Sequence, residues 1–132
     1  MPITETELLA LAVRAREHAH CPYSHFAVGA ALLCKDGTVY TGCNVENGSY
    51  SLTICAERTA IFKAVSEGKR KGDFEMIAIA GAPEGEVPEK VCPPCGACRQ
   101  VMTEFCDDSF RIILADGTHT LGELFPMRFG LE

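Results

Sequence analysis

The sequence predicts an α/β fold on a mixed sheet of roughly five strands, and three observations carry that expectation. Hydrophobic periods run helix, strand, strand, helix, strand, helix, strand, strand along the chain, without an internal repeat or a low-complexity linker. A strand–helix–strand crossover joins parallel neighbours, so the third and fourth strands should be parallel, while the opening strand pair reads as a hairpin and makes the sheet mixed. Finally, 132 residues with 47% hydrophobic content match one domain with a real core, so a single unit over residues 1–132 is expected.

Thr4-Glu5-Thr6-Glu7 is a capping box, with Ile3 and Leu8 placed as a hydrophobic staple. Leu8, Leu11, Ala12, Ala15 and Ala19 then repeat at helical spacing, and the first helix should end near His20, before Pro22. The apolar run from Phe26 to Cys34, the Asp36-Gly37 turn and the run from Val39 to Val45 give the hairpin. Cys55 to Glu67 reads as the second helix, with Ala60, Ile61, Ala64 and Val65 inward and Gly68 as its stop. Glu75 to Ala80 is a short buried strand, followed by a loop rich in Gly, Pro and Glu from Gly81 to Pro94. Cys95 to Cys106 is the third helix, with Val101, Met102 and Phe105 facing in. Phe110 to Leu114 is a strand, Asp116-Gly117 a turn and Thr118 to Thr120 a fifth strand.

Charge narrows the function. Lys and Arg number 12 against 18 Asp and Glu, a net charge of −6, and the basic cluster Lys69-Arg70-Lys71 reads as a solvated loop. A phosphate backbone needs clustered cations, so nucleic acid is not the expected partner, whereas a neutral small molecule remains open. The N-terminal stretch lacks a positive segment followed by an apolar run, and no stretch approaches the ~18 to 20 apolar residues of a membrane span. A cytoplasmic protein with reduced thiols is expected, so the eight cysteines are not read as a disulfide framework.

Cys21, Cys34, Cys43 and Cys106 read as small core or loop residues. Cys95-Gly96-Ala97-Cys98 at a helix start sets both sulfurs on one face, which suits a metal or a redox dithiol equally. Adding Cys92 gives an iron–sulfur-like spacing that lacks the further cysteine, and Pro93-Pro94 leaves Cys92 in an extended loop. Cys55-Ala56-Glu57 supplies a thiolate and a carboxylate, and both can meet one metal only at an irregular helix start. A catalytic zinc needs three protein ligands, a water and an acid or base beside it, and helix N-termini favour thiolates. Three thiolates on a dication leave net negative charge, for which Arg58 and Arg99 are candidate compensating donors, with a surface ion pair as the alternative for each. A non-catalytic four-cysteine knot with Cys92 also stays open, Glu57 then being a first-turn residue favoured by the helix dipole.

With these fragments in place, the chain resembles the small homotetrameric cytidine deaminases over almost its whole length. The matching stretches are Pro22-Tyr23-Ser24, Phe26 to Ala31, Gly42 to Asn47, Cys55 to Ala60, and Pro94 to Gln100. The resemblance implies a three-layer α/β/α sandwich and a zinc aminohydrolase with one Zn2+ per subunit, held by Cys55, Cys95 and Cys98, with Glu57 as proton shuttle. It implies that Asn44 and Glu46 hold the sugar 3′-hydroxyl, that Phe26 packs on the nucleoside, that the backbone at Ala56 reads the pyrimidine edge, and that Tyr50 is a further site residue. Phe129 matches an aromatic that a neighbouring subunit lends to the base, so a homotetramer with shared active sites is implied.

From the residues alone, Asn44 and Glu46 equally suit a capped turn, and Phe26 on a strand is more often a core residue than a ligand contact. The expected reaction is hydrolytic deamination of cytidine and 2′-deoxycytidine to uridine and 2′-deoxyuridine with release of ammonia, as in pyrimidine salvage. Alternatives are a non-catalytic zinc module, a redox dithiol and a deaminase of another free aminated heterocycle such as blasticidin S.

Overall fold

The computed structural model describes residues 2–131. Helix α1 spans Glu5–Ala15, strand β1 Phe26–Cys34, β2 Val39–Cys43, helix α2 Ala56–Ser66, β3 Phe74–Pro83, α3 Gly96–Phe105, β4 Arg111–Leu114, β5 Gly117–Thr120 and a short α4 Leu121–Leu124. The sheet order is β2-β1-β3-β4-β5, with β3 and β4 parallel and every other neighbouring pair antiparallel. The mixed sheet, the opening hairpin and the parallel crossover are therefore as the periodicity predicts.

Both faces of the sheet are covered, which explains why β1 reads as a continuous apolar run rather than an alternating one. Ala31 and Leu33 of β1 join Met76, Ala78 and Ile113 under Leu8 and Ala12 of α1. Ala30 and Leu32 point the other way, with Ile77, Ile79 and Ile112, against Ala60, Ile61 and Ala64 of α2 and Met102 of α3. These are the three layers of an α/β/α sandwich. Two glycines let the helices press onto the sheet. A Cβ at Gly29 would lie 2.0 Å from the Ala12 carbonyl oxygen of α1, and one at Gly42 would lie 2.5 Å from the Ala56 carbonyl oxygen in the first turn of α2. Gly42 thus fixes how closely the start of α2 approaches the sheet.

Three features differ from expectation, the first two because of long-range contacts. Helix α1 stops at Ala15 and tightens into a 3-10 turn at Arg16–His18, which frees His20 to bridge Val45 through backbone pairing that no helix could make. Strand β3 runs on to Pro83 because β1 pairs with it along its whole length, from Cys34 opposite Phe74 to Phe26 opposite Pro83. Helix α4 was not expected, yet Thr120 and Glu123 form a full capping box. All eight cysteines are free, with Cys21, Cys34 and Cys106 buried and Cys43 half-buried. Among the described residues no helix is long and apolar enough to cross a membrane.

Candidate metal centre and active site

Two helix N-termini converge on the site. Cys55 is the N-cap of α2 and Cys95 the N-cap of α3, each with extended backbone, while Cys98 sits in the first turn of α3. The Cys55 and Cys95 sulfurs are 3.8 Å apart, the Cys95 and Cys98 sulfurs 3.5 Å, and all three sulfurs lie within 4.8 Å of one another. Tetrahedral zinc with sulfur bonds of about 2.3 Å would space its thiolates by about 3.8 Å, so this trio fits zinc. It is the only group of three or more potential ligands so placed among the described residues. Cys92 lies outside it, packed against Gly81, with burial pushing its thiol up to about 11. A four-cysteine knot therefore has no fourth sulfur in place.

The electrostatics favour thiolate at one vertex. Cys55 is pulled down to about 5, first by the hydrogen bond from Cys98 and then by Arg58 and Cys95. Cys98 is pushed well up, because it is the donor to Cys55 and is buried. Arg58 lies beside the trio, its Nη2 donating to the Cys55 sulfur at 3.4 Å, while its Nε is buried without a partner. Arg99 does not compensate the sulfurs; it donates instead to the backbone carbonyls of Pro94 and Leu124, tying α3 to the loop before it and to α4. Arg58→Gln is accordingly expected to weaken zinc binding by roughly 10 to 100-fold, read by competition with a chromophoric chelator, whereas Arg99→Gln should leave it near wild type.

Glu57 is 4% exposed, two residues beyond Cys55. Because Cys55 is a cap with extended φ and ψ rather than a helical residue, its sulfur and the Glu57 carboxylate share one site, as the irregular helix start requires. Burial raises Glu57 to about 7, and the Cys55 charge adds to the effect, while its own backbone N–H and the Cys98 thiol oppose it. A carboxyl in that range can hold or release a proton near neutrality. Ala56 is fully buried, and its N–H lies in the first turn of α2, where backbone donors have no intrahelical acceptor.

The residues expected to contact substrate are placed unevenly. Asn44 is buried and locks the start of β1, its Oδ1 accepting from the Val28 N–H at 2.9 Å and its Nδ2 donating to the Phe26 carbonyl at 2.9 Å. Glu46 accepts from the N–H groups of Tyr23 and Ser24 and from the Ser24 hydroxyl, the last at 2.5 Å. The Ser24 hydroxyl is the main reason its carboxyl is held low. Both side chains thus brace residues 23–28, and each keeps unused hydrogen-bonding capacity. Phe26 is not a core residue; its side chain is 39% exposed at the mouth of β1. Tyr50 is exposed, edge-on to Tyr23, and lines a recess with Ser24, Glu46 and Thr53. Phe129 is exposed on the far side of α3, where its carbonyl accepts from Gln100 and its recess is shared with Lys71 and Thr103 rather than with Phe26 or Cys55. Sequence reasoning gave no role to Arg16 or His25, which brace the same region.

A family model of the cytidine and deoxycytidylate deaminase zinc-binding region matches residues 2–114. The cytidine deaminase of Sporosarcina psychrophila is 49% identical over 131 residues, covering 96% of this chain and 91% of that one. The blasticidin-S deaminase of Bacillus cereus is 32% identical over 108 residues, covering 77% and 76%. The crystal structure of cytidine deaminase from Burkholderia pseudomallei superposes with a TM-score of 0.85 at 45% identity, covering 96% of this chain and all of that one. A match across most of the chain, on the same fold and around a three-sulfur centre that suits zinc, places this protein in the zinc-binding cytidine and deoxycytidylate deaminase family.

Proposed function

We propose that the protein hydrolyses cytidine and 2′-deoxycytidine to uridine and 2′-deoxyuridine, releasing ammonia. The observation that carries this reading is the buried Glu57 carboxyl beside the Cys55, Cys95 and Cys98 cluster, one acid–base group next to three metal donors. Zinc held by those sulfurs supplies Lewis-acid activation of a water molecule. Glu57 takes a proton from the water that attacks C4 and delivers it to N3 of the pyrimidine, then takes the second water-derived proton from the new C4 hydroxyl and gives it to the departing 4-amino group. Water and cytidine are consumed, uridine and ammonia leave, and Glu57 ends as it began. The Ala56 N–H faces the pyrimidine edge, and Phe26 and Tyr50 supply aromatic surface. Asn44 and Glu46 direct their spare hydrogen-bonding capacity to the sugar 3′-hydroxyl, which ribose and deoxyribose share.

The chain acts as one domain over residues 1–132. The exposed apolar side chains of Leu52, Phe62, Met127, Phe129 and Leu131 support an assembly of copies. A homotetramer in which Phe129 completes a neighbour's site accounts for its distance from Phe26 within one chain. Cytoplasmic nucleoside salvage is the setting that fits reduced thiols.

The test is to incubate zinc-loaded protein separately with cytidine, 2′-deoxycytidine and blasticidin S, and to quantify ammonia and deaminated product. Equal yields of ammonia and uridine from cytidine are expected. An inert mixture with both nucleosides, with turnover of blasticidin S, would move the substrate to the other heterocycle.

A further inference from the structure

Arg16 follows α1 directly and spends its guanidinium on four backbone carbonyls. Nε donates to Ala27 at 3.1 Å, Nη1 to Glu86 at 2.9 Å, and Nη2 to Ala82 at 2.9 Å and Pro83 at 3.1 Å. One side chain therefore joins the residue after Phe26, the end of β3 and the loop that leaves it. That loop closes a recess of about 380 Å³ lined by Phe26, Gly81, Pro83, Val87, Lys90 and Val91, and then runs on to Cys95. A second tie lies beside the first: the Glu84 N–H donates to the His25 carbonyl at 2.8 Å, and the Glu84 carboxylate meets His25 Nδ1 at 3.2 Å. His25 itself holds φ at 57°, a left-handed conformation uncommon outside glycine, immediately before Phe26.

We propose that Arg16 is a positioning residue for substrate binding, clamping Phe26 and the loop 84–91 at a fixed separation so that the wall of the site exists before the nucleoside arrives. The proposal rests on the cytidine deaminase reading for its substrate, whereas the clamp itself is a property of the chain. The loop has little internal support, with backbone bonds from Glu86 to Pro83 and from Glu89 to Val87 as its own turns. A planar guanidinium with its fork of donors can satisfy several divergent carbonyls at once, and charge-assisted bonds of this kind are the stronger ones. Lysine has the charge but not the fork. No hydrogen bond of Arg16 among the described residues reaches the cysteines or Glu57, so its loss should leave the chemistry in place while loosening the surface that binds substrate. Binding that is equal in ground and transition states appears in KM and not in kcat.

The experiment compares wild type, Arg16→Ala and Arg16→Lys for cytidine kinetics, bound zinc and amide hydrogen exchange. Arg16→Ala should raise KM by about tenfold or more with kcat within about twofold and zinc unchanged, and Arg16→Lys should fall between. Exchange at amides 84–91 should quicken about tenfold or more in Arg16→Ala while the amides of α3 keep their protection. An unchanged KM with kcat falling in step with lost folded protein would reduce Arg16 to a purely structural role and overturn the proposal. So would unaltered exchange at 84–91. If Arg16→Ala does not fold, Arg16→Lys decides by the same two readings. Should wild type fail to turn over cytidine, the substrate reading falls alone, and the exchange measurement still judges the clamp.

Discussion

Glu57→Gln is expected to reduce kcat by roughly 10³ to 10⁴-fold while the protein keeps its zinc and its melting temperature. The figure is the upper part of the range for one acid–base group, because a single carboxyl handles the proton of the water, of N3 and of the departing amine. No other buried carboxyl is present among the described residues to substitute for it. Stability should be untouched or improved. The interior raises Glu57 to about 7 because it disfavours the carboxylate, and an amide of nearly the same shape carries no charge to disfavour. Measured together, turnover, zinc content and melting separate chemistry from folding. Retention of more than about a tenth of wild-type kcat would remove Glu57 from the proton path, given the size such groups contribute. Loss of zinc in the variant would instead make Glu57 part of the metal site.

The split between what could and could not be read from the sequence follows the range of the interactions. Cys55-Ala56-Glu57 was legible because a helix start is a local event: the cap geometry at Cys55 is what turns two residues that would diverge on a regular helix toward one site. The Cys95 cap repeats the device at α3. The Thr120-Leu121-Gly122-Glu123 box was equally local and could have been read, but a helix of four residues leaves no hydrophobic period to draw attention to it. Arg16 could not have been read, since its partners lie up to 70 residues away and are carbonyls, which every residue carries. Asn44 shows a third situation. Sequence offered a sugar contact or a capped turn, and the structure gives the side chain a brace on β1 that neither reading contained. A residue committed to the scaffold in this way can still meet a ligand, and its rigidity makes the contact more exact in position.

Removing zinc should abolish turnover and lower the melting temperature without unfolding the protein at room temperature. The two apolar layers between sheet and helices are built mostly from residues that are not metal ligands, such as Leu32, Ile77, Ile79 and Leu8, so the core persists. What zinc adds is a link between the starts of α2 and α3, which carry Cys55 on one side and Cys95 and Cys98 on the other. With free zinc at about 1,000 times its dissociation constant, that link stabilises the folded state by about 4 kcal/mol. For a domain of this size the corresponding loss in melting temperature is roughly 15 °C. Cys55→Ser should therefore match the chelated wild type in melting and in lost activity, because it removes a ligand that is only half-buried. Cys98→Ser should melt lower still, since its sulfur is fully buried in the core as well as facing the metal. Calorimetry of chelated, reloaded and substituted protein under reducing conditions distinguishes these cases. A chelated protein with full activity would exclude zinc from the reaction, and a chelated wild type that melts unchanged would mean that the two helix starts are held together by protein contacts alone.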